Sequence, residues 1–160
     1  MRSVKSFSDI EEQFNDYIRD IVYATLTTVD RSGRPRSRIL LPIWQVVDDR
    51  PVGWIAAHKT PVKTAHLSRN PHVTCSYWSP RQNAVFADGV ARWEEDPDVR
   101  AEVWELYRRG SPPGVGYDPG RYWTSPTDPK YAALRIDPFR VQVLRGIDLG
   151  SRFWQPDEQN

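Results

Sequence analysis

Six runs rich in β-branched and aromatic residues recur along the chain, and most neighbouring runs are joined by only a few turn-forming residues. A connection that short can reverse a strand but cannot carry a crossover to a parallel neighbour, so the chain is confined to a largely antiparallel sheet. "IVYATLTTV" and "RSRILLPIW", separated by "DRSGRP", read as a hairpin over residues 21 to 45. "VDDRP" turns the chain into a third strand, "VGWIAA". "HVTCSYW" and "AVFADGVARW" are joined by "SPRQN", and "YAALRIDPFRVQVL" is the last strand, with Pro138 marking a bend or an edge position.

Helical periodicity fills the remaining segments. Ile10, Phe14, Tyr17, Ile18 and Ile21 recur at helical spacing behind Ser8 and Glu11, which read as a capping box. Thr60-Pro61 opens a short helix over residues 61 to 69, and Asn70-Pro71 stops it. "DPDVRAEVWELYRR" is amphipathic, with Val99, Val103, Leu106 and Tyr107 on one face. The expected fold is mainly β with α (α+β), a small barrel with helices at its ends.

At 160 residues the chain is the size of a single domain. Its 22 Lys plus Arg nearly cancel its 21 Asp plus Glu, so nothing global favours nucleic acid or an anionic membrane surface. The lone Cys75, the lack of a membrane-length apolar run and the lack of a signal-like start point to a cytoplasmic protein. Seven Trp, seven Tyr and five Phe imply either a thick core or an apolar face covered by a partner. His58, His66 and His72 lie within fifteen residues, but no HExxH pair or acidic ligand spacing accompanies them, so no metal site is expected. Hydrolase elbows, Walker loops and dinucleotide-binding glycine turns are also missing.

One local pattern runs against helix electrostatics. Lys59 and Lys63 flank the start of the helix at residue 61, where free amide hydrogens already carry partial positive charge. Either both side chains reach into water, or an anion sits there and reverses the sign of the argument. Thr60 offers a hydroxyl beside them. Arg36 and Arg38, two apart on a strand, project from one face and could complete a phosphate pocket.

The Arg-rich second strand, the third strand leading into a short helix with Lys63 and then Leu67, and the following "RNPHV" resemble the pyridoxamine 5'-phosphate oxidase-like flavoproteins. The resemblance implies a six-stranded antiparallel split β-barrel with flanking helices, binding FMN at a homodimer interface. It implies that Arg38 and Lys63 contact the flavin phosphate, with Thr60 nearby, and that Ile39, Leu40 and Leu41 run beside the flavin ring. Ala56 and Ala57 would occupy third-strand positions near the flavin. Gln82 and Asn83, in the turn with Arg81, would reach the flavin of the other subunit. Two departures stand out: Ile43 replaces the lysine that binds substrate phosphate in the biosynthetic oxidase, and its C-terminal "Arg-Leu-x-Pro" ending is missing.

The implied function is that of a flavin-dependent oxidoreductase acting on a small molecule. A deazaflavin-dependent reductase, or a flavin- or haem-binding module without turnover, remains open on the same fold. The stretch from 110 to 130, "GSPPGVGYDPGRYWTSPTDP", holds Tyr117, Tyr122 and Trp123, candidates for a lid over the flavin or a dimer contact.

Overall fold

A computed structural model describes residues 1–156. In chain order it contains β1 (Arg2–Val4), α1 (Ser8–Ile21), β2 (Ala24–Val29), β3 (Pro35–Leu40), β4 (Ile43–Val47), β5 (Arg50–His58) and α2 (Pro61–Arg69). β6 (His72–Trp78), β7 (Ala84–Glu94), α3 (Pro97–Gly110), a 3₁₀ turn at Pro119–Arg121, β8 (Tyr131–Arg145) and β9 (Gly150–Trp154) follow. The protein is mainly β with α, and its six expected strands are all present.

It has nine strands among the described residues rather than six, for two reasons. The stretch expected as one strand from Arg36 to Trp44 breaks at Leu41-Pro42, because proline has no N–H for a ladder and disfavours continuation of the strand. β1 and β9 pair in parallel, Arg2 opposite Arg152 through Val4 opposite Trp154, and neither segment carries enough β signal alone.

The sheet runs in the order β1-β9-β8-β7-β6-β2-β3, and β5, itself paired to β4, joins at β8. The 15-residue β8 is therefore a fork. Its first part pairs with β5 from Tyr131 opposite His58 to Ile136 opposite Gly53, and its last part pairs with β9. Between the two parts the register with β7 slips at Asp88/Gly89, opposite Pro138. A Cβ on Gly89 would lie 2.8 Å from the Asp137 carbonyl oxygen, so glycine allows the close approach that the bulge requires. Pro138 thus sits at a bend, as the sequence suggests.

Two apolar clusters fill the fold. Phe7, just before α1, and Ile10 and Phe14 of α1 pack over the sheet, with Phe7 and Phe14 edge-on to Trp154 and Trp44 at ring separations of 5.5 and 5.4 Å. Val103, Trp104 and Tyr107 of α3 pack against Leu41, Trp54 and Ala56. No helix among the described residues is long and apolar enough to cross a membrane.

The start of α1 departs from expectation. The cap position is Phe7, and no side chain of the helix itself caps it. Instead Asp49, in the β4–β5 turn, accepts hydrogen bonds from Ser6 Oγ (2.6 Å), Phe7 N (3.1 Å) and Ser8 N (2.8 Å). Those bonds, led by the Ser6 hydroxyl, hold its carboxyl below the usual value of 3.8. We expect Asp49→Ala to lose about 1 kcal/mol in urea unfolding near neutral pH, the usual loss for a missing cap. Because the folded-state pKa is depressed, the gap between wild type and variant should persist down to about pH 4 and close as pH falls further. A constant gap across that range would rule out the charged cap.

Candidate functional site

β5 ends at His58, and the chain turns through Lys59 and Thr60 into α2. Thr60 caps the helix, its Oγ1 accepting from Lys63 N at 3.4 Å, and Pro61 follows in the first turn, as the sequence predicts. The first turn contains no acidic residue. Lys63 is buried, 8% exposed, and among the described residues neither a carboxylate nor any other hydrogen-bond partner meets its ammonium. Burial first, and then the nearby Arg38 guanidinium, lower its pKa to about 8. The centre of the Trp93 ring lies 5.6 Å from its Nζ, close enough for a cation–π contact.

Arg38 reaches the same place from β3. It pairs across the ladder with Leu26, so it shares the inward face of the sheet. Its guanidinium donates to Thr28 Oγ1 at 3.0 Å and is half-buried, with no carboxylate partner among the described residues. Two cations without counter-ions thus stand together where both are partly withdrawn from water. A bound anion would offset the cost of that arrangement.

A cleft of about 300 Å³ opens beside Lys63. Leu40, Ala56, Ala57, His58, Thr60 and Lys63 form one side, and Tyr117, Tyr122 and Trp123 form the other. The β4 ladder stops at Ile43 opposite Trp54, so beyond it β5 has β8 on one edge and no strand on the other. The Tyr117 hydroxyl fills part of that gap by donating to the Ala56 carbonyl at 2.6 Å. Its ring lies 5.1 Å from that of Tyr107, and burial raises its pKa well above the ordinary phenol value. Trp123 Nε1 donates to His58 Nδ1 at 3.1 Å.

The aromatic segment is pinned and does not hang free as a lid. Ser111 Oγ donates to the Tyr117 carbonyl at 2.8 Å, Asp118 caps the 3₁₀ turn, and the Tyr23 hydroxyl donates to the Val115 carbonyl. Tyr23 is aimed by a γ-turn at Val22, whose φ of 72° is unusual for a β-branched residue. Such a conformation persists only where its surroundings over-determine it.

The other sequence-derived candidates divide. Lys59 turns away to pair with Glu95 at 2.7 Å, and Arg36 is exposed. Ile39 points to the opposite face of β3 and is 64% exposed, while Leu41 is buried under α3 and its carbonyl accepts from Tyr107. Gln82 and Asn83 lie in the β6–β7 turn and do not line the cleft. Gln82 adopts a left-handed φ of 63° and accepts from Trp78 Nε1 at 3.3 Å, and Asn83 Oδ1 accepts from Gly146 N at 2.9 Å. His58 is the lining residue that sequence reasoning missed, because its pairing with Trp123 spans 65 positions. No cluster of three or more His, Cys, Asp or Glu side chains among the described residues could hold a metal ion.

The forked antiparallel sheet and the cationic helix start beside its cleft define the architecture. The chain belongs to the pyridoxamine 5'-phosphate oxidase family, whose model matches residues 10–145. Solved structures agree in fold. General stress protein 26 from Bacillus anthracis str. Sterne is 20% identical with a TM-score of 0.63, the match covering 89% of this chain and 96% of that one. A protein from Clostridium acetobutylicum related to general stress protein 26 is 14% identical at 0.68, covering 94% and 96%. A pyridoxamine 5'-phosphate oxidase-related, FMN-binding protein from Nostoc punctiforme PCC 73102 is 20% identical at 0.62, covering 85% and 84%. No curated protein matches the sequence.

A buried, unpaired ammonium destabilises the ligand-free protein. We expect Lys63→Met to raise the stability of the ligand-free protein at pH 7 by on the order of 1 kcal/mol after allowance for solvent screening. Since the folded-state pKa is lowered from 10.5 to about 8, the wild type should regain that deficit as pH rises between those values. Thermal melts from pH 7 to 10.5 measure the effect, and a Lys63→Met protein less stable than wild type at pH 7 would contradict it.

Proposed function

We propose that the cleft binds FMN and that the protein is a flavin-dependent oxidoreductase acting as a homodimer. The observation that carries this reading is the buried Lys63 beside Arg38, two cations that lack a counter-ion among the described residues. Arg38, Lys63 and Thr60 suit a terminal phosphate, and Leu40, Ala56, Ala57 and Tyr117 offer apolar surface for a planar ring. Bound FMN would supply the electron or hydride chemistry. The chain's own residues bind the phosphate, orient the ring and exclude water from one side of it. Family membership supports the same reading, as does the Nostoc punctiforme neighbour that binds FMN.

Oxidation of pyridoxamine 5'-phosphate itself is not part of this proposal. Ile43, where the biosynthetic oxidase has a phosphate-binding lysine, packs beside the cluster under α3, and Arg152 to Trp154 belong to β9. The substrate is more simply a small planar molecule that fits the wall of Tyr117, Tyr122 and Trp123.

The homodimer rests on one face of the sheet. Ile39, Thr25, Ser76 and Phe86 form a row across four strands, and Ser37, Thr27, Thr74 and Asp88 form the next. This face carries two exposed apolar residues, Ile39 and Trp78, among mostly small polar side chains. A second chain covering it would bring Gln82 and Asn83, next to Trp78, towards the partner's cleft.

Titrating the cofactor-stripped protein with FMN, followed by flavin fluorescence, tests the cofactor. Saturation near one FMN per chain is expected, and Arg38→Ala and Lys63→Ala should each weaken binding by about 1 to 3 kcal/mol, the loss of a charge-assisted hydrogen bond. No binding by wild type would transfer the cleft to a deazaflavin or haem, and unchanged affinity in both variants would remove the phosphate assignment. Sedimentation equilibrium should return the mass of two chains, and Ile39→Arg should shift it towards one. A monomeric wild type would refute the dimer.

A further inference from the structure

Behind the two site cations, a hydrogen-bonded chain runs from Arg38 through Thr28 to His66. Arg38 donates to Thr28 Oγ1 at 3.0 Å, and that oxygen stands 2.9 Å from His66 Nδ1. Thr28 is fully buried, and His66 is 9% exposed. Neither residue lines the cleft. A threonine and a histidine placed so deep beside two uncompensated cations need a physical reason, because an apolar pair would fill the same space without any polar group to satisfy.

The direction of the bonds supplies one. A guanidinium has no acceptor, so Thr28 Oγ1 accepts from Arg38. The hydroxyl then has one proton to give, and His66 Nδ1 takes it. The reverse direction would leave a buried hydroxyl proton without an acceptor among the described residues. With Nδ1 as acceptor, the ring hydrogen belongs on Nε2. The chain therefore fixes the guanidinium. Arg38 and Lys63 together offer two positive charges to the two negative charges of a terminal phosphate monoester.

His66 is also placed by α2 itself. It follows Lys63 by three positions, so the two side chains share one side of the helix. One short helix thus supplies both a direct cation and the far end of the support for the other. Were Arg38 free to swing, it would lose conformational freedom on meeting the ligand, and binding would be weaker by that ordering.

We propose that Thr28 and His66 are positioning residues for the anion site: together they hold Arg38 in place and so set the preference of the cleft for a phosphate-bearing ligand over its dephosphorylated form. The assignment rests on the FMN reading of the cleft. It goes beyond that reading by naming two residues that never touch the ligand and by giving each a defined bond.

The test compares FMN with riboflavin, which lacks the phosphate, on the purified, cofactor-stripped full-length chain. Wild type should bind FMN more tightly. Thr28→Val, which keeps the shape and removes the hydroxyl, should lower the FMN-to-riboflavin affinity ratio about tenfold, and Thr28→Ser should restore most of it. His66→Leu should act like Thr28→Val, while His66→Asn, whose Oδ1 can take the place of Nδ1, should stay close to wild type. A role confined to packing would lower both affinities together and leave the ratio unchanged, and that result would overturn the proposal. A wild type that binds FMN but does not distinguish it from riboflavin would overturn the anion site and this assignment with it. FMN preference in wild type with an unchanged ratio in Thr28→Val and His66→Leu would overturn this assignment alone. Melting curves of the ligand-free variants show whether each one folds, and the serine and asparagine variants keep the comparison open if the valine or leucine variant does not.

Discussion

The architecture depends on β8 serving two ladders in succession along one edge. A 15-residue strand that pairs with β5 over its first part and β9 over its last cannot keep both partners in one continuous sheet, so the sheet forks. The slip at Asp88/Gly89 beside Pro138 lies between the two parts, where a missing N–H and a missing side chain let the strands change register. Beyond Trp54, β5 is left with one strand neighbour only. The cleft opens there, and the backbone polarity of the bare edge is met by the Tyr117 hydroxyl at Ala56.

The same geometry explains why the site is cationic and costly. α2 must begin immediately beyond the end of β5, so its first turn meets the cleft wall. Lys63, on that turn, is carried into a partly desolvated position beside Arg38, and both burial and the like charge lower its affinity for a proton. Stability alone would favour an apolar residue at Lys63. A site that breaks a local rule while the rest of the fold obeys it is where function is expected. The lysines at the helix start are not equivalent, because Lys59 is neutralised by Glu95 and Lys63 is not.

What the sequence revealed was whatever short stretches of chain determine for themselves. α2 runs over the expected residues 61 to 69 because its cap, its first-turn proline and its stop are adjacent in sequence, and β6 coincides with "HVTCSYW" for a similar reason. β1 and β9 escaped because each is a strand only in the presence of the other, some 150 positions away in the chain. The cap of α1 escaped because Asp49 lies 41 positions beyond Ser8. Within the site, the strand period put Arg36 and Arg38 on one face, but only the three-dimensional course of β3 brings Arg38 and not Arg36 to Thr28. The role of Tyr117 and Trp123 as a fixed wall depends on contacts to Ala56 and His58 that span 61 and 65 positions.

That wall bears on how the cleft recognises a ligand. A loop of about twenty residues rich in glycine and proline would ordinarily be mobile, and ordering it on binding would reduce affinity. Here the segment is already held at Val115, Tyr117, Asp118 and Trp123, and its rings continue from Tyr107 through Tyr117 to Tyr122 and Trp123 at separations between 5.1 and 5.8 Å. Of these four rings only Tyr122 keeps a large exposed surface, 58%, while Trp123 is buried. The cationic end and the aromatic side are therefore both held by contacts within the chain, the first by Thr28 and His66 behind Arg38, the second by Tyr107 and His58 behind the loop. On the FMN reading proposed above, selectivity in such a cleft would come from matching a preset spacing between an anion and an apolar surface, and not from closure around whatever enters.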